Sequence, residues 1–156
     1  GKKVRLRNAY VIMAESVVKN DSGEVVEVHA TYDPGTIGQD PADGIKPKGV
    51  IQWVSVTEGK LITIREYDRL FSHESPEKAS VESGDSDFMS YINPDSYCEH
   101  TECFAEPSLL NASAEQVFQF EREGYFVADR HDFSHDNPVF NKTIGLRDSW
   151  PKQNQG

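Results

Sequence analysis

The sequence of 156 residues has few cysteines, and it lacks any long apolar run. Its two cysteines, Cys98 and Cys103, together with His100 between them supply three of the four ligands of a tetrahedral zinc site. We therefore interpret both cysteines as reduced thiols. No segment approaches the roughly 18 apolar residues of a membrane-spanning helix, and no apolar signal segment follows the N-terminus. We expect a cytoplasmic protein without a membrane partner.

Positive charge is also scarce. The chain has 16 Lys and Arg against 26 Asp and Glu, which gives a formal net charge of -10. Such an acidic chain does not present its whole surface to nucleic acid or to an anionic membrane. Any nucleic-acid contact must therefore be local.

Motifs for common enzyme chemistry are missing too. There is no Gly-x-Gly-x-x-Gly, no Walker loop and no nucleophile elbow. Residues 131–136 are rich in His and Asp, and we interpret them as a polar loop, with a metal site as the alternative. We therefore predict no catalytic residue and no metal ligand in this chain.

The basic residues that are present cluster at the start of the chain. On a strand, Lys3, Arg5 and Arg7 point to one side, while Val4 and Leu6 point to the other. We call Arg5 and Arg7 the opening arginines. Because polyanion binding depends on local charge rather than on net charge, this basic row predicts an anion site.

Hydrophobic residues recur with period two along most of the chain, which predicts an all-β protein with little helix. We expect the opening segment to continue as a strand to Ala14, a hairpin across the turn 20–23, and a long loop over 33–47. Residues 72–87 resemble a flexible, solvated insertion. Eight strand candidates in all favour a barrel or a sandwich; their ranges are 1–7 with its continuation 9–14, then 24–32, 49–56, 61–67, 96–105, 117–129 and 139–146.

The segment 117–129 is the strongest strand candidate, and Gly124 within it predicts a bulge or a close backbone approach. As a strand it carries two rows, Gln119, Glu121 and Glu123 on one side and Phe118, Phe120 and Arg122 on the other. Such mixed donors and acceptors can recognise the Watson–Crick edges of unstacked bases. A cross-strand ion-pair ladder between the opening arginines and Glu121 or Glu123 is the alternative.

Several segments together resemble the bacterial glutaminyl-tRNA synthetase family. They occur in the family's order and extend from about residue 2 to residue 151; the quoted matches are 4–12, 31–33, 40–44, 48–54, 67–71, 92–94, 104–109, 118–126 and 138–150. The resemblance implies β-barrels of the ribosomal L25-like type. It implies an anticodon-binding region over 2–151, with a second barrel incomplete at its N-terminal edge, and a tail over 152–156.

The resemblance also implies a function. The family ligates glutamine to its tRNA with ATP and Mg²⁺, which bind in a catalytic domain whose two signature motifs are not in this sequence. This chain is then expected to bind no cofactor. Its partners would be the anticodon loop of tRNA and the catalytic domain of the same chain, and not DNA. Carried over from the family's motifs, Arg5 and Arg7 match positions at the first anticodon base, and Gln119, Glu121 and Arg122 match positions at the second and third.

Three other functions stay open. A glutamyl-tRNA synthetase with similar C-terminal barrels would use the same kind of module for a different amino acid. A stand-alone RNA-binding protein of the L25 type would be basic, unlike this chain. A barrel that only binds other proteins would not discriminate between anticodons.

Overall fold

The computed structural model describes residues 2–84 and 87–146 and divides into two compact units. The first unit ends at Trp53, and the second begins at Val54. Strands account for most of the regular structure in these ranges, and the single α-helix there has eight residues. This confirms the all-β prediction. No described helix has the length and apolar character needed to cross a membrane.

The first unit is built on one four-stranded sheet. Its strands are β1 (Lys3–Leu6), β2 (Val11–Lys19), β3 (Val25–Asp33) and β4 (Val50–Ile51), in the order β3-β2-β1-β4. The pair β1/β4 is parallel, and the other neighbours are antiparallel. The predicted hairpin between β2 and β3 is confirmed, with Gly23 N donating to Asn20 O over 2.9 Å at its turn.

The prediction of one strand running from the opening segment to Ala14 is wrong. The chain turns after β1, where Ala9 N donates to Leu6 O over 2.9 Å and Asn8 has φ of 56°. β1 and β2 are therefore antiparallel neighbours, with Val4 opposite Ile12. Asparagine reaches positive φ more easily than most residues, which allows a turn here without glycine.

The loop between β3 and β4 is long, as predicted, and its first turn is fixed to the sheet. It opens with a 3₁₀ turn over Pro34–Thr36, and Thr36 is only 1% exposed. The Thr36 hydroxyl accepts from Val11 N at 2.8 Å and donates to Asp33 O at 2.6 Å. Thr36 thus joins the loop to both β2 and β3.

The second unit contains a five-stranded sheet. Its strands are β5 (Lys60–Tyr67), β6 (Tyr97–Ala105), β7 (Val117–Phe120), β8 (Gly124–Ala128) and β9 (Val139–Ile144). Their order is β6-β5-β9-β8-β7, with β5 and β9 parallel. Helix α1 (Pro76–Ser83) and 3₁₀ turns over Phe88–Tyr91 and Pro107–Asn111 lie in its connections. No pairing among the described residues closes either sheet, so closure into a barrel stays a prediction.

Aromatic side chains fill the core of the second unit. Phe140 is fully buried and Phe126 is 3% exposed. The ring of Phe120 stacks on Phe126 with 4.3 Å between centroids, and Phe118 meets Phe140 edge-on at 5.8 Å. Burying rings of this size supplies much of the hydrophobic stabilisation of a small unit.

The expectation of a flexible insertion over 72–87 is wrong for its helical part. Helix α1 begins at Pro76, where the missing N–H costs nothing, and it is capped by Gly84 with φ of 77°. Ala79 and Ser80 are buried. The helix has few apolar residues, so its sequence pattern resembles a solvated loop. Residues 85 and 86 lie outside the described ranges.

The His- and Asp-rich segment is a polar loop organised by Asp129. Its carboxylate accepts from Asn141 Nδ2 at 2.6 Å and from the backbone N–H groups of His131 and Asp132 at 2.8 Å each. The nearest guanidinium nitrogen of Arg65 lies 3.6 Å away. In the part of the chain that is described, no group of three or more His, Cys, Asp and Glu is placed to hold a metal ion.

This loop makes the second unit sensitive to acid. The Asn141 hydrogen bond, the two backbone N–H groups and Arg65 lower the pKa of Asp129 from 3.8 to about 2. Ionised Asp129 therefore stabilises the fold by up to about 2 kcal/mol above pH 4, and this contribution is lost as the pH falls towards 2. We expect Asp129→Asn to lower the free energy of unfolding at pH 7, and the deficit to shrink at pH 3. Urea titrations at both values measure this, and an equal deficit at both would contradict it.

Candidate nucleic-acid interface

The guanidinium of Arg5 is fixed by the loop that follows β3. Nη1 donates to the carbonyl oxygens of Thr36 and Ala9, the latter at 3.5 Å, and Nη2 donates to Gln39 O. The Asp40 carboxylate lies 3.6 Å from Nη2, and the Arg5 side chain is only 17% exposed. These three carbonyl bonds leave two of the five N–H donors for another acceptor.

Lys3, the first member of the basic row, is paired in the same way. Its ammonium group donates to the Asp43 carboxylate. That hydrogen bond, with the backbone N–H of Ile45, lowers the pKa of Asp43 below its usual value. Lys3 therefore holds the 34–49 loop beside β1 through Asp43, a structural role that the prediction of an anion site did not include.

Arg7 lies just after β1, in the turn towards β2, and its backbone is held on both sides. Its N–H donates to Ile51 O at 2.9 Å, and its carbonyl accepts from Trp53 Nε1 at 3.0 Å. The residue itself is exposed. Arg7 is thus placed at the surface on a backbone that cannot readily shift.

Both opening arginines line one open pocket of about 410 Å³ in the first unit. A volume of this size is typical of pockets for small molecules. Its lining combines guanidinium donors with a carboxylate acceptor; the residues are Arg5, Arg7, Asn8, Ala9, Gly38, Gln39, Asp40 and Val50. The pocket therefore offers donors and an acceptor to a single flat polar group.

The other three predicted site residues belong to the hairpin β7/β8. The prediction of one strand over 117–129 is wrong, because the chain turns at 121–123 and Phe120 pairs with Gly124. Glu123 N donates to Phe120 O at 3.0 Å, and Arg122 has φ of 69°. Glu121 and Arg122 therefore lie in a turn, and they do not belong to two rows of a strand.

Of these three site residues, Gln119 and Arg122 are exposed and Glu121 is partly buried. Gln119 lies on β7 opposite Tyr125. Neither side chain makes a hydrogen bond or ion pair with another described residue. Arg122 keeps its positive φ although left-handed backbone costs a residue other than glycine about 1–2 kcal/mol. An exposed arginine held in an unfavourable turn is a reasonable candidate for function.

The proposed cross-strand ladder needs neighbouring strands. β1 belongs to the four-stranded sheet and β7 to the five-stranded sheet, so these strands do not pair. The ladder is therefore wrong as a pairing of adjacent strands. The carboxylate that accompanies Arg5 within its own unit is that of Asp40.

Sequence reasoning missed the contribution of the 34–49 loop to the pocket. Gln39 and Asp40 line it, and Gly38, with φ of 68°, makes the turn that brings them there. The signal was available, because residues 40–44 belong to the segments that resemble the family. Those residues had no assigned role, since nothing in a single sequence links Asp40 to Arg5.

Comparisons with known proteins identify the class. The sequence profile of the family described as tRNA synthetases class I (E and Q), anti-codon binding domain, matches residues 50–129, and the chain belongs to this family. The resemblance found in the sequence is thereby confirmed.

Individual relatives point to one member of that class. The glutamine–tRNA ligase of Escherichia coli O7:K1 is 53% identical over 152 residues, which is 97% of this chain and 26% of that protein. The glutamine–tRNA ligase of Shigella boydii serotype 18 is 52% identical over the same shares. The chain thus spans about a quarter of the length of these relatives.

Proposed function

We propose that this chain recognises the anticodon loop of glutamine tRNA as part of a glutamine–tRNA ligase in the cytoplasm. The observation that carries the proposal is the pocket shared by Arg5 and Arg7 in a member of an anticodon-binding family. An RNA base released from the stack is a flat polar group of the kind that this pocket can hold. Single-stranded loops, with bases splayed apart, are the usual targets of sequence-specific RNA recognition.

The pocket's chemistry supports base recognition over binding of a bare phosphate. Arginine can donate two parallel hydrogen bonds to the acceptors of a base edge. The Asp40 carboxylate would repel a phosphate, but it can accept from an amino or imino N–H of a base. Because Arg5 is already oriented by three carbonyl oxygens, little side-chain entropy is lost when a base binds.

The hairpin turn is the second part of the proposal. We assign Gln119, Glu121 and Arg122 to the second and third anticodon bases. Gln119 donates and accepts, Glu121 accepts and Arg122 donates, so the three side chains cover the hydrogen-bonding groups of a base edge. The rings of Phe118 and Phe120 anchor this hairpin in the core.

The proposal places the chemistry elsewhere in the longer protein. Glutamine, ATP and Mg²⁺ would bind in a catalytic domain of the same chain, since the family's two ATP-site motifs are not in this sequence. The part described here would supply tRNA selection alone. Its acidic composition then serves solubility, and its RNA contacts are restricted to the pocket and the hairpin turn.

A chimera tests the hairpin assignment. In it, this chain replaces the matching region of the Escherichia coli ligase, which the identity of 53% makes feasible. We expect Gln119→Ala with Arg122→Asn to reduce discrimination against tRNAs changed at the second or third anticodon base by at least about tenfold, since one bidentate contact is worth about 1–3 kcal/mol. Discrimination is measured as the ratio of kcat/KM for cognate and altered tRNA.

The variant is chosen to spare the fold. Asparagine tolerates the positive φ of Arg122, so the melting temperature should not fall. Arg130→Asn is the charge-matched control in the same unit, because Arg130 is exposed and pairs with Glu115. Unchanged discrimination in the double variant, with the control behaving as wild type, would refute the hairpin assignment. A chimera that charges glutamine tRNA no better than an anticodon-altered tRNA would refute the function itself.

A further inference from the structure

A cluster of reactive groups lies on the second unit, on the same face of the sheet as the core. Along β5 the alternate residues Ile62 and Ile64 are buried, and Glu66 continues that face into solvent. Cys98 on β6 is the register partner of Glu66. Three strands thus bring a thiol and charged side chains to one exposed end of the sheet.

The contacts within the cluster are short. Cys98 Sγ lies 3.5 Å from His100 Nε2, and the same nitrogen lies 3.9 Å from Glu66 Oε2. Lys142 on β9 donates to the other Glu66 oxygen at 2.7 Å. Cys98 is exposed and the His100 side chain is 48% exposed, so a small molecule can reach the sulfur.

This arrangement suits thiolate chemistry. The thiolate is the nucleophilic form of cysteine, and a neighbouring imidazole can accept its proton. Glu66 stabilises the imidazolium that results. Lys142 in turn balances the charge of Glu66, so the carboxylate opposes the thiolate less than it would alone.

We propose that Cys98 is a modification site that exchanges with small-molecule disulfides. His100 Nε2 takes the proton from Cys98 Sγ, and the thiolate attacks one sulfur of the disulfide. A new bond forms between Sγ and that sulfur, the original S–S bond breaks, and the leaving thiolate takes up a proton from the imidazolium or from water. The products are one mixed disulfide and one free thiol, so the number of S–S bonds is unchanged and no further oxidant is needed.

The second cysteine provides an internal comparison. Cys103 is partly buried, and burial, followed by the charge of Glu66, raises the pKa of its thiol. It is also too distant to pair with Cys98. The two are five residues apart on β6, and a strand rises roughly 3.3 Å per residue, whereas a disulfide needs Cα atoms within about 7 Å. Within the described residues, Cys98 therefore has no cysteine with which it can form a disulfide.

Glutathione disulfide is the probe that tests the proposal. The folded chain is incubated with it at neutral pH, and modification of Cys98 and Cys103 is followed separately by peptide mass spectrometry. We expect Cys98 to react at least about tenfold faster than Cys103, because thiol exchange depends on both access and thiolate content. In concentrated urea the two rates should become similar, because the fold causes the difference.

A histidine variant separates chemistry from exposure. His100→Gln should slow modification of Cys98 by about threefold and leave Cys103 unchanged, because the variant lacks the imidazole that can accept the proton of Sγ. His135→Gln, at a residue whose side chain is 72% exposed, is the matched control. Equal rates for the two folded thiols, no effect of His100→Gln, or a Cys98–Cys103 disulfide would each overturn the proposal. None of these outcomes depends on tRNA binding, so this proposal and the anticodon proposal fail separately.

Discussion

Replacing both opening arginines by alanine is expected to weaken binding of glutamine tRNA by at least about 30-fold in the chimera. Two arginine contacts at about 1–3 kcal/mol each justify that figure. Because both arginines are proposed to contact a base rather than a phosphate, the slope of log affinity against log salt concentration should change by less than the roughly 0.7 expected for each arginine that neutralises a phosphate of a single-stranded loop. Filter binding across a salt series measures both quantities.

The single variants should separate two roles within the pocket. Arg5 holds the carbonyl oxygens of Thr36 and Gln39, so Arg5→Ala removes a donor and also releases the loop. Arg7→Ala leaves those bonds in place. We therefore expect Arg5→Ala to lower both the stability of the first unit and tRNA affinity, and Arg7→Ala to lower affinity without releasing the loop from Thr36 and Gln39.

The control must match the loss of charge. Arg69→Ala combined with Arg130→Ala removes the same two positive charges from exposed sites in the other unit. If that control weakened tRNA binding as much as the Arg5 and Arg7 variant, the effect would come from net charge, and the pocket would have no special role. Equal affinity in the pocket variant and in wild type would also contradict the assignment, and a salt slope lower by the full phosphate value would assign the arginines to phosphates instead of a base.

Period-two patterning was enough to predict the fold class, because strands that are buried on one face repeat apolar residues at every second position. It failed where a turn interrupts such a pattern without glycine or proline. Asn8 and Arg122 both adopt positive φ within segments that read as continuous strands. A residue other than glycine in that conformation leaves almost no trace in hydrophobic periodicity, and both turns carry candidate site residues.

The pocket was predictable only in part, for a similar reason. The alternation of Arg5 and Arg7 placed them on one side, and the structure brings both into one pocket. The carbonyl oxygens that orient Arg5 belong to residues 31 and 34 positions further along the chain. A carbonyl is common to all residues, so side-chain identity cannot reveal which one will accept a hydrogen bond.

Gly124 was singled out correctly from the sequence, and replacing it should have the largest effect on stability. It has φ of 149°, and a Cβ added there would lie 2.6 Å from the backbone oxygen of Ile144. That oxygen is part of β9, which pairs with β8 and contributes Phe140 to the core, so it cannot move aside cheaply. We expect Gly124→Ala to cost about 2–4 kcal/mol, from backbone strain and overpacking together.

Gly84→Ala is the control that isolates steric conflict from backbone strain. Gly84 also has positive φ, at 77°, and lies in the same unit, but no atom lies within 4 Å of its added Cβ. It should cost only about 1 kcal/mol. Urea denaturation measures the loss in free energy of unfolding for each variant. Equal losses would show that the backbone of β9 at Ile144 shifts to accommodate the added Cβ. A larger loss for Gly124→Ala would mean that the close packing of β8 on β9 stabilises the hairpin that carries Gln119 and Arg122. In that case, discrimination between tRNAs should fall together with stability in this variant.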